Sequence, residues 1–184
     1  IAIPLLFELD GILAVWLVSV PEYSADFCRL IIITFMIDRL GTGYLLAFNA
    51  VGDIAKLQLY TGVLLLFSLP LSYILFVNGL PPPAIAISFL VSIVALLITR
   101  IFIGKRILDI PVLLWIKKVF IPFVFAIGSM CLIAFLCTML KWPLLIRTCF
   151  SCALCCFLSL MLVIFSIPRN ERSVFFRKYM KLDT

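Results

Sequence analysis

Apolar residues run along this chain in long unbroken stretches, divided by short polar or Pro/Gly-rich punctuation. The strict alternation of a half-buried strand is missing, so the pattern predicts helices throughout. Six runs stand out, over 2–18, 24–50, 55–77, 84–103, 119–140 and 144–167. About 20 apolar residues cross a hydrocarbon core of ~30 Å, so each run is a candidate spanning helix. The stops between them are Val20 to Tyr23, Val51-Gly52-Asp53, Asn78 to Pro83, Gly104-Lys105-Arg106 and Lys141-Trp142-Pro143. Pro111 to Val119, PVLLWIKKV, reads as a short interfacial helix, with Trp115, Lys117 and Lys118 among headgroups. Pro70 falls in the middle of the third run. It lacks a backbone donor and crowds the carbonyl four residues back, which predicts a kink near Leu66 and a candidate hinge. The expected fold is all-α, a polytopic transmembrane helical bundle of about six membrane helices over 1–167, followed by a basic tail over 168–184.

Composition enforces the same class. The chain is 65% hydrophobic with a mean hydropathy of +1.29, against about 45–50% apolar residues in soluble domains. With lipid as the solvent, backbone polar groups must be satisfied inside each segment, which favours helices. The chain starts at Ile1 within an apolar run and without a preceding basic stretch. That is not a signal-peptide pattern, and the sequence reads as a piece of a longer membrane protein.

Charge refines the picture. The net charge is +6 and there is no histidine, which removes the commonest general base and metal ligand. Lys56, Arg100, Lys105, Arg106, Lys117, Lys118 and the tail residues Arg169, Arg172, Arg177, Lys178 and Lys181 fall on one side of the expected topology. Only Arg29, Lys141 and Arg147 fall on the other. The basic side is cytoplasmic by the positive-inside rule, which places the C-terminus there. Basic residues are not interleaved along a polar domain, so nucleic acid is not an expected partner. Cys149, Cys152, Cys155 and Cys156 crowd the sixth run. Without histidine or a polar surround they are expected to serve as small apolar residues and not as a metal site. No phosphate-binding glycine loop, catalytic triad or metal cluster is present, so no enzyme chemistry and no cofactor are expected.

The second run breaks the pattern by carrying Arg29, Asp38 and Arg39 inside an apolar stretch. Charges in a spanning helix are paired, hydrated or functional. At 100° per residue, Arg29, Met36, Gly43, Ala47 and Ala50 share one face of a continuous helix, with Arg39 about 80° from Arg29. Asp38 points away from Arg29 and requires a partner on another helix, or water. Arg100, near the end of the fourth run, is expected to snorkel to the interface. Arg29 and Arg39 are candidate ligands of an anionic substrate. Asp38, with Asp10 and Glu8 of the first run, is a candidate for structural pairing or for coupling to protons or sodium ions.

Ile3 to Leu30 resembles the later half of bacterial polysaccharide flippases, the O-antigen and capsule transporters of the multidrug/oligosaccharidyl-lipid/polysaccharide exporter superfamily. The resemblance continues over Ala47 to Pro83, in the turn marked by Ala50, Gly52, Lys56 and Tyr60, the Pro70-to-Tyr73 run and the Gly79-to-Pro83 loop. It fades to hydropathy alone after Pro111. The resemblance implies the second lobe of a two-lobed transporter in the bacterial inner membrane. Its substrate would be an undecaprenyl-pyrophosphate-linked oligosaccharide. Membrane lipids, an N-terminal half preceding this chain and the polysaccharide polymerase machinery would be its partners. Cavity arginines of related flippases carry over to Arg29 and Arg39. A multidrug or organic-cation exporter is the alternative within the superfamily, and a non-catalytic scaffold or glycan-assembly subunit the alternative outside it.

Overall fold

The computed structural model describes residues 2–52, 54–107, 109, 111–139 and 142–166. The basic tail expected over 168–184 lies outside them. The described residues are helical with connecting turns. The helices are α1 Ala2–Trp16, α2 Ser24–Leu40, α3 Thr42–Val51, α4 Ile54–Leu66, α5 Ser68–Val77, α6 Ala84–Ile107, α7 Val112–Trp115, α8 Ile121–Thr138 and α9 Leu144–Ser166. A π-helical turn, Ile116–Phe120, joins α7 to α8.

This is an all-α, multi-pass membrane protein, and among the described residues four helices are long and apolar enough to span a bilayer: Leu57–Val77, Ala84–Ile107, Val112–Thr138 and Leu144–Leu162. The bent pair α2 and α3 brings the number to five. The first of the six expected runs is α1, with 15 described residues, and it is not among these spans. Large apolar side chains such as Leu66, Phe67, Tyr73, Phe102 and Phe125 are more than half exposed. Surfaces of that kind are rare on soluble monomers and normal against lipid.

Three local features depart from the sequence reading or sharpen it. The 24–50 run is broken, because α2 ends at Leu40, α3 begins at Thr42, and the two are bent by 43° around Gly41. The shared face assigned to Arg29, Gly43, Ala47 and Ala50 therefore does not exist on one straight axis. The stretch Pro111 to Val119 is not a separate interfacial helix, since it runs through the π turn into α8 as one 27-residue span. In the third run the helix is interrupted at Phe67 between α4 and α5, next to the Leu66 carbonyl that Pro70 cannot satisfy. Ser68 Oγ donates to the Leu65 carbonyl at 2.7 Å, not to that of Leu66.

The chain divides into two compact units, one of residues 8–125 with Ala2, the other of 3–7 with the described residues from Ala126 on. In the first unit α6 is the hub, packing against α2, α3, α4, α5 and α7. Its buried residues Ala84, Ser88, Ser92, Leu96, Arg100 and Gly104 recur at every fourth position. Small residues at that spacing form a stripe that lets neighbouring backbones approach. The Ser88 and Ser92 hydroxyls return their protons to carbonyls of their own helix, Ile85 and Ser88, so their burial leaves no donor stranded. At one end of α6, Tyr44, Phe48 and Leu57 form a buried cluster with Ile101, Ile103, Ile107 and Trp115 packed against it. A Cβ on Gly104 would run into the Tyr44 ring, so only glycine lets α3 and α6 meet there. The C-terminus of α3 is closed by Gly52 at φ 87°, whose N–H bonds the Phe48 carbonyl. That is the left-handed cap for which glycine is the least strained residue.

In the second unit, Ala134, Cys137, Thr148, Ser151 and Cys155 are buried. Cys137, Cys149, Cys152, Cys155 and Cys156 are free thiols. Among the described residues no group of three or more His, Cys, Asp or Glu is placed to hold a metal ion.

Candidate functional site

The charges of the α2–α3 run gather where the helix breaks. Asp38 and Arg39 occupy the last turn of α2, one turn before Gly41. Asp38 Oδ1 accepts from Arg100 Nη1 of α6 at 2.9 Å, and Asp38 Oδ2 accepts from Arg39 Nη2 at 3.2 Å. One carboxylate thus serves two guanidiniums, and the triad carries a formal +1. The two arginines stand in contrasting surroundings, with side chains 8% exposed at Arg100 and 65% exposed at Arg39. Arg100 Nε is buried without a hydrogen-bond partner among the described residues, and Asp38 is the carboxylate that its guanidinium meets.

One expectation is corrected here. Arg100 does not snorkel: it lies on the buried stripe of α6 and turns inward to Asp38. Adjacent residues on a helix do not ordinarily face each other, yet Arg39 folds back onto Asp38. The length of its side chain permits this where the helix ends and bends. Gly41 also shapes the arrangement, because a Cβ there would come within 2.9 Å of Arg100 Nη1. Glycine at the bend leaves room for the guanidinium that reaches Asp38.

Arg29 is placed differently. It donates to Asp10 of α1 and, at 3.4 Å, to Asp26 one turn earlier on α2. Two acids hold one arginine in a partly exposed cluster of formal charge −1. Arg29 and Arg39 therefore belong to separate ion-pair groups, about 15 Å apart along the helix axis at 1.5 Å per residue. Asp10 serves Arg29 and not Arg39. Glu8 is buried on α1.

Two clefts flank the triad. The first, of about 300 Å³, is lined by Arg39, Leu40, Gly43, Tyr44, Leu114, Trp115, Lys118 and Val119. It combines two cations with an apolar and aromatic wall. Lys118 comes from the π turn, an irregularity common at functional sites. Tyr44 is 3% exposed and stacks obliquely on Trp115, ring centroids 6.1 Å apart. Its hydroxyl is buried with no hydrogen-bond partner among the described residues. The second cleft, of about 220 Å³, lies among α2, α4 and α6 and is lined by Thr34, Phe35, Asp38, Thr61, Leu65, Phe89, Ile93, Leu96 and Arg100. The Thr34 and Thr61 hydroxyls donate to the carbonyls of Leu30 and Leu57, leaving their oxygens as acceptors. Asp38 and Arg39, neighbours in sequence, face one cleft each.

A third cleft, of about 270 Å³, lies at the other end of α2 and is lined by Glu22, Tyr23, Ser24, Phe27, Cys28, Pro82 and Pro83. Tyr23 sits at φ 66° ahead of α2. A hydrogen bond with Glu22, then the Glu22 charge, pushes its phenol above the ordinary tyrosine value.

Sequence reasoning missed three residues of this site. Arg100 could have been found from the spacing of Ala84, Ser88, Ser92 and Gly104, which places position 100 on the packed face. Lys118 and Tyr44 carry no comparable signal, because their approach depends on the π turn and on the bend at Gly41. Comparison of the chain with models of known protein families, with curated proteins and with solved structures gives no match.

Proposed function

We propose that the chain is part of a membrane transporter that moves undecaprenyl-pyrophosphate-linked oligosaccharide across the bacterial inner membrane by alternating access. The observation that carries the reading is the charged triad Arg39–Asp38–Arg100 at the break between α2 and α3. Broken membrane helices with ionisable groups at the break are the usual construction of transporter binding sites. Charges within a membrane-spanning helix are costly unless used or paired. Of the two arginines that the flippase resemblance singles out, Arg39 is the one with an exposed guanidinium on an open cleft. Arginine suits a pyrophosphate because its planar fork donates two parallel hydrogen bonds. A phosphate drawing Arg39 off Asp38 would leave the carboxylate to Arg100 alone. That exchange couples the first cleft to the second and is a route by which a proton or sodium ion at Asp38 could be linked to the substrate. Pro70 and the interruption at Phe67 mark a candidate hinge for gating. In this reading the chain forms the second of two lobes, with its C-terminus cytoplasmic and an N-terminal lobe completing the cavity.

The test is translocation of a labelled lipid-linked oligosaccharide by the intact protein reconstituted in vesicles. Arg39→Ala is expected to lose transport at wild-type expression, and Arg39→Lys to retain only part of it, since a point charge replaces the fork. Full transport by Arg39→Ala would remove Arg39 from the site. Efflux of organic cations without oligosaccharide movement would favour the multidrug exporter. No movement of either would favour the scaffold.

A further inference from the structure

The cleft beside Arg39 holds more than the transport reading uses. It has two cations on different elements, Arg39 at the end of α2 and Lys118 on the π turn. Tyr44 lines the same cleft and is almost fully buried, with a hydroxyl that no group among the described residues satisfies. A stranded buried hydroxyl is destabilising, and a ligand in the cleft would be the nearest source of a partner. The remaining wall is apolar, with Leu40, Leu114 and Trp115. A volume of about 300 Å³ stands at the small end of ligand sites, too small for an oligosaccharide. An anionic group with several acceptor oxygens and an attached hydrocarbon chain matches both the cations and the wall.

We propose that this cleft is a binding site for the phosphate group of a membrane-embedded amphiphile. Arg39 and Lys118 take the charge, the Tyr44 hydroxyl donates to a phosphate oxygen, and the chain lies against Leu114 and Trp115. The inference rests on the Arg39 cleft of the transport reading and adds Lys118 and Tyr44 to it as phosphate ligands. The phosphate could belong to a resident anionic phospholipid or to a polyprenyl carrier, and the shared chemistry is the claim.

The experiment is equilibrium binding to the intact protein in a neutral maltoside detergent, read by Trp115 fluorescence with Trp16→Phe and Trp142→Phe in place. Dodecyl phosphate is the probe. A saturable change is expected, which inorganic phosphate does not reproduce at equal concentration. Arg39→Gln and Lys118→Gln should each weaken binding by about tenfold, as loss of a charge-assisted contact implies. Tyr44→Phe should weaken it about fivefold, as loss of one neutral hydrogen bond implies. Lys118→Arg should stay within about threefold, since the charge is kept, and it separates lost chemistry from lost folding. Monodisperse elution of every variant completes that control. Competition by phosphatidylglycerol and polyprenyl phosphate alike assigns the site to resident lipid, and competition by polyprenyl phosphate alone assigns it to a carrier. Both outcomes support the proposal. Absence of saturation, equal binding of inorganic phosphate, or wild-type affinity in both Gln variants would overturn it. Because the assay involves no translocation, its failure is distinct from failure of the transport reading.

Discussion

Removing the carboxylate of Asp38 should damage this protein more than removing either arginine it holds. Asp38 meets Arg100 at 2.9 Å. At that separation two unit charges attract by about 6 kcal/mol at an effective dielectric constant of ~20, before desolvation is subtracted. The net value of the pair is far smaller, since burying both ions costs a comparable amount. Breaking the pair from one side is a different matter, because the surviving ion stays buried. Asp38→Asn strands Arg100, whose side chain is 8% exposed, and raises the formal charge of the cluster from +1 to +2. Single truncations of buried pairs cost about 3–5 kcal/mol. Asp38 is 23% exposed, so some solvation survives and the low end, about 3 kcal/mol, is expected. Arg100→Gln leaves Asp38 with Arg39 as a neutral pair and should cost about 1–2 kcal/mol. The double variant Asp38→Asn/Arg100→Gln removes both ends and should be more stable than Asp38→Asn alone, with a coupling of about 2 kcal/mol. Unfolding titrations of the three variants in detergent micelles measure this cycle. Additive costs within about 0.5 kcal/mol, or a larger loss in Arg100→Gln than in Asp38→Asn, would refute the assignment of Asp38 as the shared counter-charge.

Other positions give independent checks. Gly104→Ala drives a methyl group into the Tyr44 ring and should cost about 1–3 kcal/mol as overpacking, read by the same titration and by a change in Trp115 fluorescence. Gly52→Ala meets no neighbouring atom, so its cost of about 1–2 kcal/mol comes from the φ of 87° alone, and Gly52→Asn should cost less. Pro70→Ala returns a backbone N–H to the Leu66 carbonyl. It should raise stability by about 1 kcal/mol while slowing transport by the intact protein, whereas unchanged transport would deny the hinge a role in gating.

Where the chain obeys local rules, the sequence was enough to read it. The run of residues from Asn78 to Pro83 stops a helix in any environment, and a turn is found there. Gly52 ends α3 as a left-handed cap, and Pro70 marks the interruption near Leu66. The site was less legible because its contacts are not local. Asp38 and Arg100 are 62 residues apart, and a helical wheel says only that Asp38 needs a partner. Arg100 looked like an interfacial residue because it lies near the end of an apolar run, where side-chain length permits either fate. Its burial follows from the four-residue stripe of α6. The bend at Gly41 was hidden because glycine is tolerated within an apolar membrane helix without breaking it. Lys117 and Lys118 suggested an interface, since hydropathy does not reveal that a π turn continues the backbone into α8.

The central claim is that the charged break between α2 and α3 belongs to a carrier of lipid-linked oligosaccharide. Its most direct test is to delete the protein from cells and measure lipid-linked repeat units in each leaflet of the inner membrane. The account predicts that repeat units accumulate on the cytoplasmic side. It also predicts that the wild-type protein restores their passage and that the Arg39→Ala protein, expressed at the same level, does not. Repeat units crossing at the normal rate in the deleted cells would contradict it.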